Sequence, residues 1–271
     1  MTMMMQAAAA EILVPAASSA AWMSRLGHID LAEEVPVALV YNGVSHAVMM
    51  ATPRELEDFA LGFSLSEGIL EDSTELLDIE QRATCRGISV EMTVTHERFA
   101  ALMARRRNLV GRTGCGLCGV DSLDQVFRPL SPVGTGEVIA PSAIAHAVAN
   151  LPALQDLHLR VHAVHAAAWA TSQGDVVLVR EDVGRHNALD KLIGALAAGP
   201  ADPGEGFAVI TSRCSYEMVQ KSVAAGIGVL VALSAPTQLA IEIAQDAGLT
   251  LVAWAKGARR TICTHPHRIA P

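Results

Sequence analysis

Two of the five cysteines in the chain stand three positions apart inside a glycine-rich loop. They are Cys115 and Cys118, in the stretch Gly-Cys-Gly-Leu-Cys-Gly that begins at Gly114. The thiolate is the reactive form of cysteine, and positive charge nearby favours it. Four arginines precede the pair along the chain: Arg105, Arg106, Arg107 and Arg112. The pattern is typical of a loop that presents sulfur for redox, metal-binding or sulfur-transfer chemistry.

Three interpretations of the cysteine pair are open from the residues alone. A structural zinc ion needs four ligands, and the chain has no second C-x-x-C pair, although Cys263, His265 and His267 could complete a site. A thioredoxin-like redox pair fits less well, because the motif does not open a helix at the start of a βαβ unit. We favour sulfur transfer. Cys214, like Cys85 and Cys263, is expected to be a small buried packing residue.

A second polar segment lies in the C-terminal half of the chain. It reads Glu-Asp-Val-Gly-Arg-His-Asn from Glu181 to Asn187 and is followed by a helical pattern. Asp182 or Asn187 could cap that helix. However, four charged or ionisable groups within six residues are more than a cap needs. We therefore interpret the segment as a polar ligand loop, with Asp182 and His186 among its binding residues.

The elements that must position these groups can be predicted from periodicity and turn signals. Asn42-Gly43 is a strong hairpin signal, and Thr52-Pro53-Arg54-Glu55 has the form of a capping-box helix start. In the C-terminal half, strands alternate with helices, which favours an α/β sandwich with a largely parallel sheet. The predicted strands are 35–40, 45–50, 88–94, 159–170, 175–180, 207–210, 229–233 and 249–254, and the later helices are 188–198, 215–225 and 238–247.

Open parallel sheets bind ligands outside the carboxyl ends of their strands. Four segments leave predicted strands there: 181–187, 211–215, 234–237 and 255–260. Their polar side chains are Asp182, Arg185, His186, Ser212, Arg213, Ser215, Thr237, Lys256, Arg259 and Arg260. Arg213 could pair with Glu217 or Asp182, or clamp a phosphate. The edge is a predicted cradle for a phosphate-bearing anion, which would also suit a nucleotide-binding chaperone in which the cysteines are incidental.

Composition limits the class of protein. The chain has 271 residues, 51% of them hydrophobic, and a formal net charge of −8. It can bury a large core, and it is not expected to bind nucleic acid. Its Ala- and Met-rich leader has no basic residue before the apolar stretch and contains Glu11, which argues against a signal peptide. No apolar run is long enough to span a membrane, so we expect a cytoplasmic protein with no membrane partner.

Together, the two motifs resemble the FdhD family of formate dehydrogenase accessory sulfurtransferases. The resemblance rests on the segment from Gly114 to Gly119 and on Arg-Glu-Asp-Val-Gly-Arg-His-Asn-Ala-Leu-Asp-Lys from Arg180 to Lys191. It extends from Glu34 to His265. Shorter matches are Thr52-Pro53, Gly62-Phe63, Glu67-Gly68, Ser212-Arg213, Ser215-Tyr216-Glu217-Met218 and Ser234-Ala235-Pro236-Thr237.

The resemblance implies a function. Members of this family accept persulfide sulfur from a cysteine desulfurase and pass it to the molybdenum or tungsten bis-guanine-dinucleotide cofactor of formate dehydrogenase. Cys115 would carry the persulfide, and Cys118 would assist or relay. The cofactor would be a bound substrate, and no tightly held metal of the protein's own is expected. The implied partners are a cysteine desulfurase, formate dehydrogenase, the cofactor and a second copy of the chain in a homodimer.

The resemblance also implies a fold and a binding segment. The expected fold class is α/β, a three-layer α/β/α sandwich with a cytidine-deaminase-like C-terminal domain and a smaller N-terminal α+β subdomain. Deaminase chemistry needs H-x-E and P-C-x-x-C patterns, which the chain lacks. The stretch Trp254-Ala255-Lys256-Gly257-Ala258-Arg259 corresponds to a cofactor-binding segment, in which an aromatic ring can pack on a base. The expected divisions are a flexible leader at 1–33, the subdomain carrying the cysteine loop at 34–135, and the cofactor-binding domain at 136–271.

Overall fold

The computed structural model describes residues 30–110, 130–256 and 259–271, without the side chains of 107–110. Within these residues the chain forms two β-sheets with helices packed on them. The strands are β1 (Val35–Tyr41), β2 (Val44–Ala51), β3 (Leu76–Thr84), β4 (Gly87–Val94), β5 (His165–Thr171), β6 (Val176–Asp182), β7 (Gly206–Ile210), β8 (Val229–Ala232), β9 (Thr250–Lys256) and β10 (Arg259–Ile262). The helices are α1 (Leu56–Ser66), α2 (His96–Val110), α3 (Pro141–Asn150), α4 (Asp156–Val161), α5 (Arg185–Ala198), α6 (Tyr216–Ala224) and α7 (Gln238–Asp246). None of the helices among the described residues has the length and apolar character needed to cross a bilayer.

The N-terminal sheet has the strand order β2-β1-β4-β3. β1 and β2 form the predicted hairpin, and Asn42 and Gly43 have positive φ angles of 46° and 79°, as a two-residue turn of this kind requires. β1 runs parallel to β4, the strand predicted at 88–94. Helix α1 lies against this sheet, and its Phe59 shares one buried cluster with Leu39 of β1. The predicted hairpin at Asn42-Gly43 and the predicted strand at 88–94 are both confirmed.

The start of α1 differs from the predicted capping box. The helix begins at Leu56, and its N-cap is Glu55, whose φ of 45° is left-handed and whose side chain makes no capping hydrogen bond. Thr52 is used elsewhere, because its side-chain oxygen accepts a hydrogen bond from the backbone N–H of Val183 at 3.2 Å. The capping-box prediction is therefore wrong. A contact with a distant segment takes the threonine that a local cap would need.

The C-terminal sheet has the strand order β10-β9-β8-β7-β5-β6. β7, β8 and β9 are parallel, whereas β5 is antiparallel to both of its neighbours and β10 is antiparallel to β9. The sheet is therefore mixed and not largely parallel as predicted. β5 pairs with β6 on one side and with β7 on the other, and β10 pairs with β9. Since β6 is antiparallel to β5, the strands β6, β7, β8 and β9 still end at one edge.

The segment before β5 is helical where a strand was predicted. Helix α4 occupies the first part of the predicted strand, and β5 begins only at His165. The backbone N–H groups of Leu157 and His158 in the first turn of α4 donate to the carboxylate of Glu181 at 2.7 and 2.8 Å. These N–H groups have no partner within the helix. The carboxylate of Glu181 in β6 supplies the missing acceptors. Local hydrophobic periodicity cannot reveal this interaction between distant segments.

Helices cover both faces of the C-terminal sheet. Along β5, Ala167 and Trp169 join the buried cluster that contains residues of α5, α6 and α7. Ala168 and Ala170 join the cluster that contains residues of α3. Alternate residues of a strand face opposite sides of its sheet. The result is the predicted three-layer α/β/α sandwich.

Helices α1 and α5 pack so closely that each needs a glycine. A Cβ atom at Gly62 would collide with the backbone of Asp190, and a Cβ atom at Gly194 would collide with the backbone of Asp58. Glycine permits this approach because it has no side chain. The helix pair therefore connects the N-terminal sheet to the C-terminal sandwich.

Replacing Gly62 with alanine is expected to destabilise the protein. Alanine is favoured over glycine in a helix by about 1 kcal/mol, but here its methyl group meets backbone that cannot rotate away. We expect a net loss of about 1–3 kcal/mol in the free energy of unfolding. The control is Gly134→Ala, since a Cβ atom at Gly134 meets nothing within 4 Å. Urea denaturation measures both variants, and equal stabilities would contradict the close helix contact.

Candidate functional site

The strand ends that the sequence predicted to form a ligand edge do lie together. The residues after β6 lead into α5, those after β7 into α6, and those after β8 into α7. β9 turns back directly into β10. Three helix N-termini therefore lie at this edge, and their N–H groups and dipoles favour an anion.

Trp254, near the end of β9, combines an exposed ring with an unusual backbone. Its φ is 52° and it is 47% exposed. Positive φ is unfavourable for a bulky side chain, and strained backbone of this kind is found preferentially at functional sites. The N–H of Trp254 donates to the carbonyl of Ser234, beyond the end of β8, at 3.2 Å. The indole ring is therefore held at the edge, where it is accessible for stacking on a ligand ring.

Two cations face each other across the turn between β9 and β10. Lys256 and Arg259 are partners in the strand register, and both are exposed. Like charges directly opposite each other destabilise a sheet, and an anion between them would remove that repulsion. Gly257 and Ala258 lie outside the described residues. Ala255 is 2% exposed, so its side chain belongs to the core.

Arg213 provides a further cation at the end of β7. It is exposed, and the two acids that could have paired with it have other partners. Asp182 pairs with a lysine of α5 at 2.8 Å, and Glu217 lies 2.9 Å from a histidine of α5. Ser212 is buried, and its hydroxyl donates to the carbonyl of Arg213 at 3.0 Å. The serine therefore shapes the turn that presents the arginine.

Asp182 lies inside the protein with its carboxylate engaged. The backbone N–H groups of Thr52 and Gly184 donate to it at 3.0 and 2.8 Å. The side-chain amide of Asn187 donates at 2.9 Å, and the ammonium group of Lys191 lies at 2.8 Å. The side chain is 0% exposed. A direct contact between this carboxylate and a ligand would require it to leave these partners, so the geometry gives Asp182 a structural task.

Two residues of α5 complete the same network. Lys191 also donates to the carbonyl of Thr52 at 3.0 Å. Asn187 also donates to the carbonyl of Met50 in β2 at 2.8 Å. The motif that was interpreted as a ligand loop therefore holds the N-terminal segment against the start of α5.

A second buried charge cluster was not predicted. Lys221 on α6 lies 2.9 Å from Asp190 on α5 and 3.0 Å from Glu67 after α1. Asp190 also accepts from the hydroxyl of Ser66 at 2.6 Å. Burial alone would lower the pKa of Lys221, but the carboxylates of Asp190 and Glu67 outweigh it and the pKa is raised. A lysine in a helical segment carries no sequence signal of burial, so only the fold reveals this cluster.

His186 stands at the N-terminal end of α5, beside α6. Its Nε2 atom lies 2.9 Å from the carboxylate of Glu217. Burial lowers the pKa of His186; the carboxylate of Glu217 opposes this, and Arg185 and Lys221 lower the pKa further.

Cys115 and Cys118 lie outside the described residues, as does Arg112. The described stretch that precedes the cysteine pair ends at Val110, the last residue of α2. The predicted reactivity of the cysteine pair therefore stays a prediction.

The last turns of α2, which precede the cysteine segment in the sequence, are attached to the loop after α1 and to strand β2. Arg105 donates to the carbonyl of Gly68 at 3.0 Å, and Arg106 donates to the carbonyl of Ser45 at 2.8 Å. A carbonyl carries no net charge, and neither guanidinium group makes an ion pair with another described residue. Burial lowers the pKa of His46, and Arg106 and Arg105 lower it further.

The other three cysteines occupy different environments. Cys214 is buried, and burial raises the pKa of its thiol to about 12, which confirms the predicted packing role. Cys85 is exposed in the turn between β3 and β4, so the same prediction is wrong for it. Cys263 follows the edge strand β10 and is only partly buried. Burial of a cysteine depends on where its segment lies in the fold, and Cys85 falls where the chain reverses direction at the surface.

The histidines proposed as zinc ligands do lie close together. The ring centroids of His265 and His267 are 5.6 Å apart. Within 30–110, 130–256 and 259–271, no group of three or more His, Cys, Asp or Glu side chains is arranged to hold a metal ion. Because the cysteine pair lies outside these ranges, the zinc interpretation is neither supported nor overturned.

Fold and edge together define an α/β protein with a cationic strand edge, whose sequence also carries a glycine-flanked cysteine pair. The sequence model of the FdhD/NarQ family matches residues 32–270, and the chain belongs to this family. The Sulfur carrier protein FdhD of Variovorax paradoxus is 52% identical over 239 residues, which are 88% of this chain and 86% of that protein. The Sulfur carrier protein FdhD of Xanthomonas oryzae pv. oryzae is 53% identical over 239 residues, which are 88% of this chain and 85% of that protein.

A solved structure has the same fold. The crystal structure of a proposed formate dehydrogenase accessory protein from Desulfotalea psychrophila aligns with a TM-score of 0.68. The alignment covers 89% of this chain and 90% of that chain at 24% sequence identity. The arrangement of two sheets and packed helices is therefore shared with a protein of much lower sequence similarity.

Replacing Lys191 with methionine is expected to cost about 3–5 kcal/mol in the free energy of unfolding, because Asp182 would remain buried without its cation. Arg86→Gln, which removes an exposed charge, is the control and should change stability little. The double variant Asp182→Asn/Lys191→Met should lose less than the sum of its single variants, because neither charge remains. Chemical denaturation measures all four. If Lys191→Met is as stable as the control, the buried pair does not hold the junction.

Proposed function

We propose that this protein is a sulfurtransferase that loads persulfide sulfur on Cys115 and delivers it to the molybdenum or tungsten bis-guanine-dinucleotide cofactor needed by formate dehydrogenase. The observation that carries the proposal is the set of relatives named sulfur carrier protein, with 52% and 53% identity across 88% of the chain. The glycine-flanked pair Cys115 and Cys118 is the chemistry that a carrier of sulfur requires.

In the loading step, the thiolate of Cys115 attacks the terminal sulfur of a persulfide on a cysteine desulfurase. A new S–S bond forms on Cys115, the S–S bond of the donor breaks, and the donor cysteine leaves as a thiolate. The rate depends on the thiolate fraction and on access to the sulfur. The arginines that precede Cys115 in the sequence, Arg105, Arg106, Arg107 and Arg112, would favour the thiolate.

In the delivery step, the S–S bond of the Cys115 persulfide breaks and the terminal sulfur bonds to the metal of the substrate. The metal supplies two electrons, so that Cys115 is left as a thiolate, ready for another cycle. Cys118 assists or relays. The protein contributes positioning, while the chemistry of the metal belongs to the cofactor.

The strand edge suits the guanine and phosphate groups of such a substrate. Lys256, Arg259 and Arg213 are exposed cations without an ion pair among the described residues, and phosphate oxygens would pair with them. Trp254 offers an exposed ring for a base. Asp182 and His186 would support the binding edge from within the protein. Asp182 would fix the start of α5, and His186 would act from the first turn of the same helix.

The proposal also covers the partners of the protein, its oligomeric state and its location in the cell. The sulfur donor is a cysteine desulfurase, the recipient of the finished cofactor is formate dehydrogenase, and the working form is a homodimer in the cytoplasm. Nucleic acid and membranes have no part in it, in keeping with the net charge of −8.

The test is the intact mass of the protein after incubation with a cysteine desulfurase and cysteine. We expect a gain of one sulfur atom that a thiol reductant removes and that Cys115→Ala abolishes. Cys85→Ala is the control, because it removes an exposed cysteine far along the chain and should keep the gain. Retention of the gain in Cys115→Ala would show that Cys115 is not the carrier. No gain in any form, with stoichiometric zinc that a double cysteine variant loses, would favour a zinc-binding structural module.

A further inference from the structure

Strand β2 forms one edge of the N-terminal sheet, and its side chains differ from those of the other sheet edges. Within the described residues, the two sheets end at β2, β3, β6 and β10. β3, β6 and β10 each carry charged side chains, whereas β2 reads Val-Ser-His-Ala-Val-Met-Met-Ala, without Asp, Glu, Lys, Arg or Pro. Exposed edges are normally protected by charge or proline, because their free backbone groups pair readily with another strand. An edge without this protection indicates that another chain segment pairs with it.

The register of β1 and β2 shows which backbone groups of β2 point outward. Pro36 is paired with Met50, and Ala38 is paired with Val48. A Cβ atom at Gly87, the first residue of β4, would collide with the carbonyl oxygen of Pro36, so this carbonyl points toward β4 and away from β2. In an antiparallel pair, opposite residues that do not bond to each other turn their N–H and C=O groups outward. Met50 and, two residues earlier, Val48 therefore direct these groups away from β1.

Side chains from two helices bond to this edge on either side of Val48. The carbonyl of Ser45 accepts a hydrogen bond from Arg106 on α2 at 2.8 Å, and the carbonyl of Met50 accepts one from Asn187 on α5 at 2.8 Å. Between them, the outward N–H and C=O of Val48 have no partner among the described residues. The side chain of Val48 is 62% exposed. The free part of the edge is therefore short and apolar, with one donor and one acceptor.

One end of this free edge is cationic. Arg105 and Arg106 donate to backbone carbonyls, and neither makes an ion pair within the described ranges. An acidic side chain next to them would gain a charge-assisted hydrogen bond. At the other end, the half-exposed side chain of Met50 lies on the same face as that of Val48. A segment that fits this edge is extended, apolar beside Val48 and Met50, and acidic beside Arg106.

The place of this edge relative to the cysteine pair indicates which protein supplies the segment. Arg106, which bonds to β2, lies one turn before Val110, where α2 ends. Cys115 follows Val110 by five residues in the sequence, and five residues span at most about 18 Å. A protein that hands sulfur to Cys115 must therefore approach the surface around the end of α2, and β2 belongs to that surface.

We propose that the free edge of β2 is the docking strand for the sulfur donor, the cysteine desulfurase, and that an extended segment of the donor pairs with the backbone of Val48. In such strand addition, backbone hydrogen bonds provide affinity and the adjacent side chains provide specificity. Because Arg106 and Asn187 already bond to the edge on either side, the paired segment is short, which suits a loop of the donor better than the whole β2 strand of a second copy. The inference rests on the proposed function and adds the surface at which the donor binds.

The first test is binding of the full chain to a purified cysteine desulfurase, measured by biolayer interferometry. We expect Val48→Pro to raise the dissociation constant about tenfold or more, because proline removes the outward N–H. The control is Val48→Thr, which keeps the N–H and the branched shape and should change the dissociation constant less than about threefold. Val48→Pro should keep the thermal unfolding midpoint, since the lost N–H does not bond to β1.

Hydrogen exchange of the unchanged protein gives a reading that needs no variant. The amide of Val48 should exchange rapidly in the free protein and about tenfold or more slowly when the desulfurase is bound. A charge variant tests the cationic end. Arg106→Gln should weaken binding and lower its dependence on salt, whereas Arg86→Gln, which removes an exposed charge from the turn between β3 and β4, should change neither.

Sulfur loading separates docking from the proposed function. Val48→Pro should slow the gain of sulfur from the desulfurase but not from glutathione persulfide, which needs no docking strand. If the unchanged protein gains sulfur from neither donor, the proposed function fails, while binding still reports on the docking strand.

The docking proposal is overturned if residues 44–51 exchange at the same rate with and without bound desulfurase, or if Val48→Thr weakens binding as much as Val48→Pro. It is also overturned if exchange of this segment slows as the concentration of the protein itself rises without desulfurase, because a second copy would then occupy the edge.

Discussion

The buried ion pair between Asp182 and Lys191 fixes how the N-terminal segment meets the C-terminal sandwich. Two charges removed from water are stable only when their remaining hydrogen-bonding positions are filled. The backbone of Thr52 supplies one hydrogen bond to each charge: its N–H donates to Asp182, and its carbonyl accepts from Lys191. One residue thus serves both charges, and the segment after β2 has a single place to lie. The residue at which α1 begins is therefore determined by this junction and not by a capping side chain of the helix itself.

Once this segment is fixed, α1 lies along α5, and the contact between the two helices depends on the absence of side chains at Gly62 and Gly194. The cluster of Lys221, Asp190 and Glu67 then forms at the C-terminal end of α1. Both buried charge groups join elements that are far apart in the sequence. Each would be costly if the helices separated, because a buried charge would lose its partner. Both charge groups therefore oppose separation of the helices behind the strand edge.

The internal use of acids explains why the strand edge is cationic in a protein with a net charge of −8. Asp182, Glu181 and Glu217 all come from segments at this edge, yet each is engaged with groups of the protein itself. The cations Arg185 and Arg213 are left without such partners. An edge of this composition would attract anions although the protein as a whole is acidic, because the field at a site depends on the nearest unpaired charges.

Local pattern alone determined the Asn42-Gly43 hairpin, the alternation of strands and helices from β7 to β9, the edge at which those strands end, and the cysteine pair. These features depend on residues close together in sequence, so periodicity and turn chemistry reveal them. The tertiary structure decided that β5 is antiparallel, that Lys221 is buried, and that Thr52 bonds to Asp182 across 130 residues. It also showed that Asp182 of the predicted ligand loop is engaged inside the protein. The reason is physical: a charged side chain has the same sequence signature whether water or a distant residue satisfies it, and only the folded chain brings that residue to it.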